Sequence, residues 1–522
     1  MTPSPTLAES EFERADVARQ EGLTMTDAAP QAGSTGSATA RPVVQVSAGA
    51  VRGTRHGGLD RFLGIPYAAP PVGERRFRAP EPASPWEGER DAATFGPTAP
   101  QRPYSPAIAK YLASVDVPGD DILTVNVWTP ADRSADAALP VMVFVHGGAL
   151  TRGAAALPTY DGERFARHGL VFVSVQYRLG QEGFAVLDDV PQNLGVLDQQ
   201  AALRWVRREI AAFGGDPSRV TVMGHSAGAN TLAALLALPH AKELFDRAIL
   251  QSGPLEARPP KKAGRMSREI AKRLAAPATR AGFSALSADE LVAQQTALAA
   301  AGSPLGGGPS VALAIGGEAV PLNPLDALLD GAGRGIPVLV GSTSEEYRLW
   351  LVPSGAVDKA SWLTVTLARL AARVPARIVR AHRARRPDAK PGEVLGEVIG
   401  DILLRGPITR FADSRVGSAD SPTWVYEFRW RSPVDGLGAA HVMELGFVFD
   451  RLAEPDAIGI GGPDGPQALA EAMHRAWVSF VVDGDPGWEA WSAHRPVQAF
   501  DADGGHIDYA PRQDELDGLP RA

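Results

Sequence analysis

Val220-Thr221-Val222-Met223-Gly224-His225-Ser226-Ala227-Gly228-Ala229-Asn230 is the stretch on which the fold turns. Its apolar, β-branched start reads as a buried strand, and from near Ala227 the small residues read as a helix. Gly224 and Gly228 stand two positions either side of Ser226. A serine on so tight a strand-to-helix turn needs such neighbours, because a side chain there would collide with adjoining backbone. The helix that follows turns its positive dipole end toward the serine and helps a developing negative charge. Chance supplies roughly 0.3 matches to this five-residue pattern in a chain of this length, so the weight rests on its place between strand and helix.

Outward from this turn the central sequence alternates strand-like and helix-like segments. Leu139 to Val145, Leu170 to Val175, Val220 to Met223, Ala248 to Gln251 and Ile336 to Val340 are short apolar runs, and Trp424 to Phe428 is the last of the kind. Strands separated by helices predict an α/β fold with a large, mainly parallel central sheet flanked by helices. Leu197, Ala201, Trp205, Val206, Ile210 and Phe213 recur at helical spacing, and Gly214-Gly215 closes that helix. Val43 to Val46 and Ala50 to Gly53 flank a small-residue turn and predict a hairpin. Turn-forming residues crowd Pro66 to Pro82, and a last helix is expected from about Pro466 to Val482.

Residues 1–40, rich in Ala, Ser, Thr and Glu, are expected to form a flexible tail, with Met25 an alternative start. Residues 41–522 are expected to form one domain. Its helical insertions, over the carboxyl edge of the sheet, fall at about 254–335, with a glycine-rich loop at Gly302 to Gly308, and at about 353–415. In the second, Arg369, Arg373 and Arg377 are spaced four apart, which would align them on one helix face. That face is read as a solvated surface in preference to an anion-steering one.

The chain has 522 residues, 44% of them hydrophobic and 21% charged, enough to bury a large core. With Cys 0 it carries no disulfide, thiolate nucleophile or cysteine-held metal. Lys+Arg 52 against Asp+Glu 60 gives net charge -8, which offers no general attraction to nucleic acid. No apolar run reaches the ~18 residues needed to span a bilayer, and no secretory signal is visible. A soluble, cytoplasmic protein without a membrane partner is expected.

A second glycine motif, His146-Gly147-Gly148-Ala149, follows the strand Leu139 to Val145. Acyl transfer builds negative charge on a carbonyl oxygen, and N–H groups fixed in advance stabilise it, at ~2.7–4 kcal/mol of barrier per donor. The N–H groups of Gly147, Gly148 and Ala227 are assigned this oxyanion-hole role. A serine nucleophile also needs a base, and in this architecture the acid and then the histidine follow it in the chain. Among the later histidines, His441 stands in the small-residue loop after Trp424 to Phe428 and is the best placed. His240, His382, His474, His494 and His506 are less so. For the acid, Glu345 and Glu346 both lie beyond the strand Ile336 to Val340, at the carboxyl edge, and either could serve on spacing alone. Glu444 reads as a structural or local hydrogen-bonding group.

These residues resemble the type-B carboxylesterases, the α/β-hydrolase family of the bacterial para-nitrobenzyl esterases and the cholinesterases. The resemblance runs from about Val46 through Gly49-Ala50-Val51-Arg52-Gly53, Phe62 to Ala68 (FLGIPYA) and Asp121 to Pro130 (DILTVNVWTP). It continues in Tyr177 to Gly180 (YRLG), Asn193 to Gln199 (NLGVLDQ), Phe213 to Pro217 (FGGDP) and Gln251-Ser252-Gly253. It implies an α/β-hydrolase fold and a serine carboxylesterase that uses no metal or organic cofactor, acts on a small-molecule ester and occurs as monomer or homodimer. The family's nucleophile falls on Ser226, its histidine on His441 and its oxyanion donors on Gly147, Gly148 and Ala227. The segment Gly341 to Tyr347 selects Glu346 as the acid. Carbamates, amides or lactones are alternative substrates for the same machinery, and a non-catalytic adhesion module is the alternative of another class.

Three positions depart from the family pattern. Tyr347 replaces the glycine after the acid, His225 replaces the glutamate before the serine, and Ile122 stands at a frequent cysteine position. The second change removes a negative charge from beside the reacting centre and argues against cationic, choline-like substrates. His225 itself reads equally as a residue lining the site or as a turn residue. Trp128, Trp350 and Phe447 resemble positions near the family's gorge, although apolar residues of this kind are more often core.

Overall fold

The computed structural model describes residues 41–520 apart from 135, 302–308 and 419. The expected tail at 1–40 and the glycine-rich loop at 302–308 lie outside the described residues.

Fourteen strands follow in chain order: β1 Val43–Val46, β2 Gly49–Arg52, β3 Thr54–His56, β4 Leu59–Pro66, β5 Glu89–Asp91, β6 Thr124–Pro130 and β7 Leu139–Val145. Then come β8 Val171–Val175, β9 Gly215–His225, β10 Arg247–Gln251, β11 Val338–Thr343, β12 Thr423–Phe428, β13 Pro496–Phe500 and β14 His506–Tyr509. β1, β2 and β5 make a small sheet, with β1 and β2 paired antiparallel as the expected hairpin. The other 11 strands form one sheet in the order β14-β13-β12-β11-β10-β9-β7-β8-β6-β4-β3. From β8 to β13 every pairing is parallel, and the pairings at both margins are antiparallel.

The parallel strands are buried on both faces, as an apolar run rather than an alternating one requires. β8 is buried at every residue, and Val141, Val143, Val220, Val222, Val338 and Val340 pack with the helix Ala227–Leu236 in one core layer. On the other face Met142, Phe144, Phe172, Met223 and Tyr426 meet the helix Gln467–Asp483 through Met473, Trp477 and Phe480. Trp128 and Phe447 are buried in this second layer.

The long helix between β8 and β9 runs Leu194–Glu209 and tightens into a 3-10 turn to Phe213, where Gly214 at φ 83 supplies the left-handed cap. Residues 254–335 include the helices Arg265–Arg273 and Ala288–Ala301, and residues 353–415 include Trp362–Ala371 and Ala376–Arg385. The expected alignment of Arg369, Arg373 and Arg377 on one helix face is corrected. Arg373 takes φ 56 and Pro375 caps the next helix, so a break separates Arg369 on one helix from Arg377 on another. Among the described residues no helix is long and apolar enough to cross a membrane.

Candidate active site

Ser226 directly follows β9 and stands at the N-cap of the helix Ala227–Leu236, with φ 55 and ψ -119. A non-glycine residue held there costs of order 1–3 kcal/mol, and the surroundings impose it. The Ser226 N–H donates to the Gln251 carbonyl on β10 at 2.8 Å. A Cβ on Gly228 would stand 2.1 Å from the Val145 carbonyl oxygen, and one on Gly224 2.6 Å from the Gly228 backbone. Only glycine lets the helix start that close to the strand ends, so the turn projects the serine hydroxyl above the sheet.

Glu346 and His441 arrive from beyond the ends of β11 and β12, the second and third strands from β9 in the sheet. The loop after β12 carries His441, whose Nε2 lies 2.8 Å from Ser226 Oγ and whose Nδ1 lies 2.5 Å from Glu346 Oε2. Glu346, beyond the end of β11, is held in turn by the Thr343 N–H, which donates to its Oε1 at 2.8 Å. Glu345 faces elsewhere: Arg348 at 2.7 Å and Arg431 at 2.9 Å bond its Oε1, and the Ala439 N–H donates to its Oε2. Tyr347 adopts φ -60, a conformation open to any residue, and its ring packs where Gly396 leaves room. The departure from glycine therefore leaves Glu346 in place.

Gly147 and Gly148 follow β7, and a Cβ on Gly147 would come within 3.0 Å of Ser226 Cβ, so this turn abuts the serine. Gly148 takes φ 119. Behind the turn His146 is buried, stacked on Tyr177 at 4.7 Å between ring centres, and its Nδ1–H donates to the Gly147 carbonyl at 2.8 Å. Burial lowers His146 to about 4, so the ring is neutral. The Tyr177 hydroxyl donates to the His146 carbonyl at 2.8 Å. Next to it Arg178 pairs with Asp198 at 2.6 Å, both side chains buried, which ties the YRLG segment to the NLGVLDQ helix. His146, Tyr177 and Thr343 had no individual signal in the sequence, because their roles depend on contacts between distant segments.

His225 lines the same space as Ser226 and His441. Its ring lies 4.7 Å from that of His441, and its Nε2 is 3.6 Å from Glu444 Oε1. Desolvation first, and then the nearby His441, hold His225 well below its ordinary range, so it is neutral. Glu444 is completely buried near Ser252; burial and the neighbouring Glu346 push it up to about 8.

The serine opens into a cavity of about 400 Å³, whose lining includes Tyr160, Leu349, Trp350 and Leu445. Trp350, 46% exposed, sets its ring 4.8 Å from the His441 ring. Arg152, stacked over Tyr104 at 4.7 Å, and Asp456 line the same space. Far along the chain, His382, Asp401 and Glu515 bring three possible ligand atoms within 4.8 Å of one another. Arg405 already bonds Asp401, and Arg386 bonds Glu515 at 2.6 Å, so arginines meet the charge of that group.

Comparison with known proteins agrees with this geometry. The sequence profile described as "Carboxylesterase family" matches residues 40–512. The chain is 35% identical to the para-nitrobenzyl esterase of Bacillus subtilis (strain 168) over 87% of its own length and 92% of that protein's. It is 33% identical to human carboxylesterase 3, covering 87% and 85% of the two chains. The crystal structure of a Geobacillus stearothermophilus carboxylesterase superposes with TM-score 0.81 at 34% identity, over 92% of this chain and 100% of that one. A serine hydroxyl engaged by histidine beneath an apolar cavity, on an α/β-hydrolase sheet shared with these relatives, identifies the chain as a member of the carboxylesterase family, the hydrolases of carboxylic esters.

Proposed function

We propose that Ser226, His441 and Glu346 are the catalytic residues and that the N–H groups of Gly147, Gly148 and Ala227 form the oxyanion hole. The observation that carries this is the unbroken run of hydrogen bonds from Ser226 Oγ through both ring nitrogens of His441 to Glu346, at 2.8 and 2.5 Å. His441 Nε2 takes the serine proton as Oγ attacks the ester carbonyl carbon. Negative charge gathers on the former carbonyl oxygen, where preorganised N–H donors cost nothing to reorient. Glu346 fixes the tautomer with Nδ1 protonated and stabilises the imidazolium. As the tetrahedral intermediate collapses, Nε2 returns the proton to the leaving alcohol. Water, activated by the same nitrogen, then frees the acid from the acyl-enzyme.

The chemistry of the cavity favours small, neutral esters with an apolar or aromatic part, since Trp350, Leu349 and Leu445 are among its lining residues. Neutral His225 beside His441 fits the same preference, because it offers no carboxylate to a cationic group. A cytoplasmic protein acting as monomer or homodimer completes the reading, and the absence of cysteine is consistent with it. Hydrolysis of para-nitrophenyl esters tests the mechanism. Ser226→Ala is expected to abolish turnover while keeping the fold, and full turnover by that variant would refute it.

A further inference from the structure

The arginine-rich stretch of the second insertion is unlike the rest of the surface. Between Lys359 and Pro387 the sequence holds eight basic residues and no acidic one, in a chain of net charge -8. Arg385 and Arg386 are spent on Asp514 and Glu515. Lys359, Arg369, Arg373, Arg377, Arg380 and Arg383 form no ion pair with any described residue. A protein that merely solvated this face would intersperse the two signs, as it does elsewhere.

The same stretch exposes apolar side chains in a row. On the helix Trp362–Ala371 the only buried residue is Val365. Leu363, Leu367 and Leu370, spaced along one helix stripe, are exposed at 67%, 58% and 57%, and Trp362 at 39%. Arg383 lies over the Trp362 ring at 4.2 Å, which joins the leucine helix to the arginine helix Ala376–Arg385. Isolated exposed leucines are ordinary, but a row of them flanked by unpaired cations marks a contact surface.

We propose that this paired-helix surface docks peripherally on an anionic lipid interface, with Leu363, Leu367 and Leu370 entering the acyl boundary and the arginines meeting headgroup phosphates. Charge complementarity selects the occupant. A second copy of the chain would bring identical basic surfaces face to face, whereas an anionic bilayer answers both the charge and the leucine row. A surface contact needs no spanning helix, so the expectation of no membrane partner, drawn from spanning length, does not reach it. The cavity residue Trp350 precedes Lys359 by nine positions in the chain, so docking would bring an esterase to the phase in which apolar esters collect. The docking itself is independent of the catalytic assignments.

Sedimentation with vesicles of phosphatidylcholine, with and without phosphatidylglycerol, tests this on the full chain. Binding is expected only to the anionic vesicles and is expected to fall with added salt. The triple variant Arg373→Gln, Arg377→Gln, Arg380→Gln should bind about 100-fold more weakly, at about five-fold per cation near an anionic surface. Leu363→Ser, Leu367→Ser, Leu370→Ser should lose at least about ten-fold, since each leucine removed takes its apolar burial with it. Both variants should keep wild-type turnover of a soluble ester, which shows that they fold. No binding to anionic vesicles at low salt overturns the proposal, as does equal binding to neutral ones. Loss with the arginine variant alone would mark a site for polyanions instead. A wild-type dimer that the leucine variant dissociates would mark an interface between copies.

Discussion

Glu345 and Glu346, neighbours in the chain, take opposite partners: Glu346 meets His441 Nδ1 at 2.5 Å, while Glu345 is clamped by Arg348 at 2.7 Å and Arg431 at 2.9 Å. Their separation yields the first prediction. Glu346→Gln should lower kcat by about 10⁴-fold, because an amide can hold the imidazole in the wrong tautomer. Glu345→Gln should leave kcat within about ten-fold and instead lower the melting temperature, since it loosens a partly buried ion-pair cluster. Steady-state kinetics and thermal melts on the two variants separate these roles.

A second prediction concerns the turn beside the serine. Gly148 has φ 119, and a Cβ there would lie 2.0 Å from the Arg152 carbonyl oxygen. Gly148→Ala should displace the N–H donors and cut kcat by about 10²–10³-fold. Gly169→Ala is the matched control, because Gly169 has φ 78 with nothing within 4 Å of its added Cβ. It should cost stability and leave kcat unchanged.

Burial raises Glu444 from 4.5 to about 8, and the sign of the consequence is definite. Between those values the folded chain holds a proton that the unfolded chain has released, so this group's contribution to stability is lost as pH rises through the window. Glu444→Gln removes the titration. The melting temperature of the variant should gain on wild type from pH 5 to about pH 8 and level off above that, and a constant gap across the window would contradict this.

Trp350 offers a test of the cavity. Its ring stands 4.8 Å from that of His441 and forms part of the wall. Trp350→Ala should raise KM for an aryl ester by about 2- to 10-fold, the range of one aromatic contact, with a smaller change in kcat. An unchanged KM would place the aryl group elsewhere.

The interior of the sheet was legible because its strands are uninterrupted apolar runs; Leu139–Val145 has the bounds expected of it. β6 was not legible as a strand, since Asn126 interrupts it, yet that side chain accepts from the Gly64 N–H and donates to Ser174 Oγ inside the fold. The edge strands β3 and β14 are short and partly exposed, which leaves no hydrophobic pattern to read. At the site, glycine spacing and chain order pointed to Ser226 and His441, and Glu346 was separated from Glu345 by family resemblance. Spacing could not separate them, because the direction of each carboxylate depends on Arg348 and Arg431 as well as on His441. The direction of the His225 side chain likewise depends on a ring 216 positions away.

The most direct test of the account is intact-mass analysis after exposure to a fluorophosphonate, whose phosphorus is attacked by an activated serine oxygen as fluoride departs. Wild type should carry a single adduct, His441→Ala should acquire it far more slowly, and Ser226→Ala should acquire none. A stoichiometric adduct on Ser226→Ala, or a folded wild type that remains unlabelled, would contradict the assignment of Ser226 as the nucleophile.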